Sequence, residues 1–395
     1  MKKLRYLLFV LLLFYPVLVF ALQYPVVKSE IVEIYDLSDD KIIYEVDSKS
    51  KSAIASLTKI ATTITAIENI KNLDEKVTIT KEILNTVDPE ASRAGLKEGD
   101  VLTYRDLLYA SMLPSGADAT NTIAISSSGS VSDFVKKMNE LMNKINLKST
   151  HFVNVTGLDE DDHYSSADDV RKLLVYALKN PLFREIYTTK KYTMSNGQVV
   201  KSTIFTYNKN SNIDTSKILG SKTGFTLKAG YCLSTLSNIN GHEMLTIVLK
   251  APKEDNYYYN IIDSVSLINF LLDNYKEQVL VKKKELVKTL PIKLSKEEKY
   301  DIKASKEVKL YLPSDYDKNK FKIKYDGIEE LSFRNKINKK IGTIKYYYDN
   351  KLIAEEEIIL NKEIKVSIKK LFINYYYILI ILLVIIIFII IIIFH

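Results

Sequence analysis

Three groups of residues in this sequence have types and spacings that could do chemistry together. In "ASLTKIAT", Ser56 and Lys59 stand three residues apart, and a helix would put both side chains on one face, about 5–6 Å apart at Cβ. A serine becomes a nucleophile when a base lies within hydrogen-bond reach. A lysine held in a pocket with a lowered pKa can serve as that base. A helix start at Ser56 would add free backbone N–H groups and the positive end of the helix dipole. The spacing S-x-x-K decides little by itself, because it starts at Ser38, Ser48, Ser56 and Ser367. Of these, Ser56 alone opens an apolar helical pattern. The second group is the turn Pro114-Ser115-Gly116 in "LLYASMLPSGADATN", where the plain reading of a serine is a capping residue. The third is "LGSKTGFTLKAGYCL", residues 219–233, a strand interrupted by glycines. Glycine inside a strand marks a close approach of a ligand or another backbone. Lys222 beside it offers an anion three donors, where the plain alternative is a lysine facing solvent.

These groups need elements to hold them. Leu57, Ile60, Ala61, Ile64, Ile67 and Ile70 recur at helical spacing and predict a buried or half-buried helix starting near Ser56. "EIVEIYDLSDDKIIYEVDSKSK" reads as two strands around Ser38-Asp39-Asp40. "TYRDLLYASML" and "VSDFVKKMNELMNKINL" read as amphipathic helices, the second capped by Ser132 or Asp133. "SSADDVRKLLVYALKN" is a further helix before Pro181, "HEMLTIVLKAP" a strand, and "YYYNIIDSVSLINFLLDNY" a long helix. Helices interspersed with strands predict an α/β or α+β domain over residues 22–275. After Tyr275 short alternating segments separated by polar turns, such as Asp349-Asn350, predict a small all-β domain, 276–366.

The ends of the 395-residue chain differ from the rest. Residues 1–21 carry Lys2, Lys3 and Arg5, then an apolar run and Val19-Phe20-Ala21, the pattern of a secretory signal peptide. Residues 371–394 read as a transmembrane helix. Tyr375 to Phe394 is free of charge, about the ~20 residues that cross a bilayer, and Tyr375–Tyr377 suit an aromatic belt. Together they predict a chain held at the cell membrane by its C-terminus, with residues 22–366 on the extracytoplasmic side. A single cysteine, Cys232, excludes an intramolecular disulfide and reads as a packed core residue. Residues 276–370 hold 25 basic against 16 acidic side chains, +9 of the chain's net +8, which suits anionic headgroups or wall polymers. No nucleic-acid motif is present in an exported chain. His151 and His242 have no partners at metal spacing, so neither a metal nor another cofactor is implied.

The order S-x-x-K, then S-G-x, then K-T-G resembles the penicillin-recognising serine enzymes. Within them the chain is similar to the low-molecular-weight D-alanyl-D-alanine carboxypeptidases, through "ASLTKIAT", "AGLKEGDVLTYRDLLYASMLPSGADAT", "FVNVTGLDEDDHYSSADDVRKLL" and "GSKTGFTLKAGYCL". "KKIGTIKYYYDNKLIAEEEIIL" is similar to the stalk domain of that group. The resemblance implies a β-lactamase/transpeptidase-like catalytic fold acting on peptidoglycan stem peptides that end in D-Ala-D-Ala, with β-lactams as covalent inhibitors. It implies Ser56 as nucleophile, Lys59 as general base and Ser115 as proton relay. Lys222 and Thr223 would hold the terminal carboxylate, Gly224 would let the peptide pair edge-on with the strand, and the N–H groups of Ser56 and Phe225 would form the oxyanion hole. Lys209 stands where the family often has an arginine near the carboxylate. His163 and Tyr164 belong to a family-like "HYSS" segment with a structural reading.

Two features depart from the pattern. Ala117 occupies the asparagine position of S-x-N, removing a hydrogen bond of about 0.5–1.5 kcal/mol to the substrate. That implies slower turnover or altered specificity, with Asp118 or Asn121 as candidate substitutes. The tail is long enough to span a membrane where the family often has an amphipathic helix. Two other readings stay open: a β-lactamase with a base near Glu140–Asn143, and a non-catalytic penicillin-binding wall module.

Overall fold

The structure, a computed structural model, describes residues 23–207, 213–254 and 257–394. The expected signal peptide, 1–21, and Lys209 lie outside the described residues. The chain forms two compact units that divide after Tyr275.

In the first unit β1 (Ile31–Asp36) and β2 (Lys41–Val46) form a hairpin, and a 3-10 turn, Ala55–Leu57, runs into α1 (Thr58–Asn69). A short pair, β3 (Lys76–Thr78) and β4 (Val101–Thr103), brackets α2 (Lys81–Asn85). Then come α3 (Tyr104–Met112), α4 (Ala117–Ser128), α5 (Val131–Lys144), α6 (Ala167–Ala177) and α7 (Pro181–Thr188). A second short pair, β5 (Lys191–Thr193) and β6 (Val199–Lys201), precedes α8 (Thr203–Tyr207). The chain closes the sheet with β7 (Ile218–Thr226), β8 (Gly230–Ile239) and β9 (His242–Ala251). The pair β10 (Lys253–Glu254) and β11 (Tyr257–Tyr258) follows, then α9 (Tyr259–Asn274).

The five-stranded antiparallel sheet has the order β2-β1-β9-β8-β7, which leaves β7 at an edge. Every residue of β1 is buried, so both faces of the sheet are covered in its middle. Residues Thr58 to Ala66 of α1 are all buried as well. A helix that is small or apolar on every side belongs inside a core. Caps set the surrounding helices. Thr103 and Asp106 form a capping box on α3, Ser166 caps α6, and Asn180 with Pro181 at the first position starts α7. The cap of α5 is Ser130, not Ser132 or Asp133. Its hydroxyl accepts the Asp133 N–H, so the helix starts at Val131, at least two residues before the expected cap allows.

The second unit contains β12 (Tyr275–Val281), β13 (Leu286–Lys293), β14 (Lys299–Lys303), β15 (Val308–Pro313), β16 (Phe321–Gly327), β17 (Leu331–Ser332), β18 (Lys340–Tyr348) and β19 (Lys351–Ile359). They form small sheets, β12-β15, β14-β13-β17 and β16-β18-β19, around Leu290, Ile302, Ile344, Tyr346 and Leu360. Asp349 and Asn350 both take positive φ, the geometry of a tight hairpin turn between β18 and β19. The helix α10 (Ile368–Phe394) follows, long and apolar enough to cross a membrane. The expected α+β catalytic fold, all-β region and terminal apolar helix are all present.

Candidate active site

Ser56 sits in the middle of the 3-10 turn that feeds α1, not in the helix proper. The preceding Ala55 has φ +47°, a left-handed conformation that a residue with a Cβ adopts at a cost. Packing enforces it from two sides. A Cβ on Gly157 would meet the Ala55 carbonyl oxygen at 1.9 Å, and one on Gly224 would lie 2.9 Å from the Ser56 nitrogen and 3.0 Å from the Ala55 Cβ. Gly157 itself has φ +89°. Gly224 therefore has a second reason to be glycine: the bare Cα lets β7 pass against the nucleophile's turn.

Lys59 lies one turn along α1 and is 2% exposed. Its Nζ donates to Ser56 Oγ at 3.0 Å and to the Thr156 carbonyl at 2.6 Å. The Thr156 carbonyl is placed by an Asn turn, in which Asn154 Oδ1 accepts the N–H groups of Thr156 and Gly157. Burial pulls the Lys59 pKa down from 10.5 to about 7, with Asp118 pulling weakly the other way. An amine whose pKa is drawn close to neutrality and which touches a serine hydroxyl is the arrangement a nucleophilic serine requires. Behind α1, Thr58 Oγ1 lies 2.9 Å from His163 Nε2, and His163 Nδ1 accepts the Val153 N–H. Burial lowers this histidine to about 4, so it stays neutral and structural, as its segment suggests.

Ser115 occupies the turn between α3 and α4 with φ +66°. Gly116 after it is closed in by the Ala110 carbonyl and the Ala94 Cβ, each 2.7 Å from where its own Cβ would be. The Ser115 hydroxyl accepts from Lys222 Nζ at 2.9 Å. Among the described hydrogen bonds its partner is Lys222 and not Lys59. Lys222 is 1% exposed on β7 and also donates to the Thr223 carbonyl. Burial, reinforced by the charge of Lys59, holds its pKa well below the usual lysine value. Among the described residues neither lysine forms an ion pair. Two buried amines that feel each other, with no carboxylate between them, make a site that an incoming anion relieves.

The asparagine substitutes suggested by the sequence do not serve. Asp118 accepts the N–H groups of Ala94, Gly95 and Leu96, and Asn121 donates to Thr86, so both tie α4 to neighbouring loops. Ala117 is fully buried, with its N–H on the Ser92 carbonyl. Glu140 is exposed on α5, which removes the support for a β-lactamase base there. Cys232 is buried in β8 and its thiol is pushed up to about 12, the state of a core residue.

His242 has partners that its spacing in the sequence does not show. Its Nδ1 lies 3.1 Å from Asp36 Oδ2, and with Asp39 the three ligand atoms fall within 4.8 Å. The hairpin β1–β2 and strand β9 bring together residues far apart in sequence. Lys41 already pairs with Asp39, and Asp36 accepts the N–H groups of Ser38 and Asp39, so the carboxylates of the cluster have protein partners. Sequence reasoning also missed the Thr156 carbonyl and Thr203, whose Oγ1 lies 2.5 Å from Thr223 Oγ1. A backbone carbonyl has no residue signature, though Asn154 and Gly157 marked its turn.

Residues 19–253 match the peptidase S11 family, described as D-alanyl-D-alanine carboxypeptidase. The chain is similar to the D-alanyl-D-alanine carboxypeptidase DacF of Bacillus subtilis, 27% identical over 339 residues, 82% of this chain and 83% of that protein. It is 34% identical over 220 residues to the D-alanyl-D-alanine carboxypeptidase of Streptomyces sp. strain K15, 52% of this chain and 75% of that protein. Penicillin binding protein 5 from Haemophilus influenzae shares the fold, with TM-score 0.63, 23% identity, and 87% and 100% coverage of this chain and that one. The Streptomyces K15 DD-transpeptidase superposes with TM-score 0.56 and 28% identity over 63% of this chain and 98% of that one.

Proposed function

The chain belongs to the peptidase S11 family of D-alanyl-D-alanine carboxypeptidases, serine hydrolases, and on that premise we propose the residues that carry the reaction. Ser56 Oγ attacks the carbonyl between the two terminal D-alanines while Lys59 Nζ takes its proton. The N–H groups of Ser56 and Phe225 receive the oxyanion. Ser115, bonded to Lys222, gives its proton to the leaving D-alanine nitrogen and is reprotonated by the proton that Lys59 took from Ser56, which leaves Lys59 neutral again. Water, deprotonated by Lys59, then attacks the acyl-Ser56 ester and restores the hydroxyl. Lys222 and Thr223 hold the terminal carboxylate, and β7, an edge strand, offers its open side to the peptide backbone. A β-lactam would acylate the same hydroxyl and remain.

The observation that carries this reading is the 3.0 Å contact between Ser56 Oγ and a buried amine whose pKa falls to about 7. D-alanine release from a peptide ending in D-Ala-D-Ala, compared between the wild type and Ser56→Ala, tests it. Release by the wild type that disappears in the variant supports it. Release that survives in Ser56→Ala sinks it, and penicillin labelling without release would mark a sensor instead.

α10 is the proposed membrane anchor, with the β-rich unit standing directly on the membrane surface. From Leu371 to Phe394 the helix carries no charge, and its base is fastened to that unit. The Ser367 N–H donates to the Leu294 carbonyl at 2.8 Å, Ser295 Oγ donates to the Lys365 carbonyl, and Lys370 pairs with Glu298. Protein truncated after Val366 should leave the membrane fraction without detergent; retention there would refute the anchor.

A further inference from the structure

We propose that Thr203 is a positioning residue for recognition of the substrate's terminal carboxylate, acting through Thr223. This deepens the clamp proposed above and rests on it. Thr203 opens α8, far from the K-T-G strand in sequence, yet its hydroxyl oxygen lies 2.5 Å from that of Thr223. Thr223 is 3% exposed, so its proton has few directions to choose from. A hydroxyl has one proton to give and two lone pairs that accept. An anion in front of Thr223 takes that proton, so the contact between the two threonines is filled by the proton of Thr203. Donation from Thr203 then does two things. It fixes the Thr223 O–H toward the carboxylate, and it polarises that bond, since hydrogen bonds in a chain strengthen one another.

Thr203 is itself held where such a role requires. Its N–H donates to the Leu113 carbonyl at 3.1 Å, one residue before Pro114-Ser115-Gly116, and the Ser202 N–H donates to the Lys190 carbonyl. The same residue thus joins the turn that carries Ser115 to the strand that carries Lys222 and Thr223. Lys222 closes the circuit by bonding both Ser115 Oγ and the Thr223 carbonyl. The plainer account, that Thr203 merely fills space, predicts that valine of nearly the same shape would serve as well.

The full-length enzyme is assayed on two peptides, one ending in D-Ala-D-Ala with a free carboxylate and one with that terminus amidated. Thr203→Val should raise KM on the free acid roughly tenfold, the upper end of the scale for a lost hydrogen bond between neutral groups. It should leave kcat within about twofold and the amidated peptide unaffected, while Thr203→Ser keeps wild-type values. Unchanged KM on the free acid, or an equal loss on both peptides, overturns the proposal. Should the valine variant not fold, Thr203→Ala takes its place, with the serine variant as its control. Thr223→Val separates the two readings. If it erases the preference for the free acid while Thr203→Val does not, Thr203 alone is wrong. If Thr223→Val keeps that preference, the clamp falls and this proposal with it.

Discussion

Two lysines of the first unit stand apart from the lysines of the β-rich unit. In the β-rich unit lysines stand at the surface beside acidic partners: Lys288 with Glu329, Lys340 with Glu357, Lys345 with Asp326 and Lys320 with Asp349. Such pairs exchange hydration for modest Coulomb energy and contribute little. In the first unit Lys59 and Lys222 are buried with no acidic partner in contact, and their pKa values fall. Burying an amine without a counter-charge costs stability, so a fold keeps one there when function requires it. The contrast teaches where to look for chemistry in a lysine-rich chain: at the lysines whose charge the fold suppresses.

The strongest way to break that contrast is Lys59→Met. Loss of the base should lower D-alanine release by roughly 10²–10⁴-fold. Removing a buried amine should at the same time raise Tm by several degrees; a variant that loses both activity and stability would argue that Lys59 is structural. Gly224→Ala comes next. The added Cβ would lie 2.9 Å from the Ser56 nitrogen and 3.0 Å from the Ala55 Cβ and so push on the turn that carries Ser56; release should fall, by as much as roughly 10²-fold if Ser56 moves by about 1 Å. Activity within twofold of wild type would show that β7 can retreat without consequence.

The pH dependence sharpens the comparison with a smaller effect. In the proposed mechanism Lys59 acts as a neutral base, and its pKa lies at about 7, so kcat/KM should rise as pH increases through about 7. Because the folded value lies below the ordinary 10.5, the unfolded chain binds more protons between these limits. The part of the stability linked to Lys59 therefore grows as pH rises from about 7 toward 10.5. A flat acid limb in the rate profile, measured by D-alanine release, would exclude Lys59 as the base. Lys340→Ala, at the other extreme, should leave activity unchanged and Tm within about 2 °C. A larger drop would mean that the surface pairs of the β-rich unit act as a network.

Much of this was legible in the sequence where the signal is local. The apolar period from Leu57 announces α1, the pair Asp349-Asn350 announces the β18–β19 turn, and the uncharged run after Lys370 announces α10, because each depends on neighbours along the chain. The cap of α5 was misjudged by two residues, since a serine one position ahead of the apolar pattern looks like loop. Pairings across the fold were hidden. Asp36 with His242, Thr203 with Thr223 and the Thr156 carbonyl with Lys59 join segments that sequence proximity does not relate.

The sequence by itself determined which candidate groups stand on the chain and in what order, S-x-x-K, then S-G-x, then K-T-G, because residue types and their spacing are read directly from it. The tertiary structure alone decided what those groups are worth. Burial drew the Lys59 pKa down, the close approach of β7 required glycine at 224, and the packing of α3 and β7 handed Ser115 to Lys222. A pKa and a hydrogen-bond partner depend on what surrounds a side chain, and most of those surroundings come from distant parts of the chain.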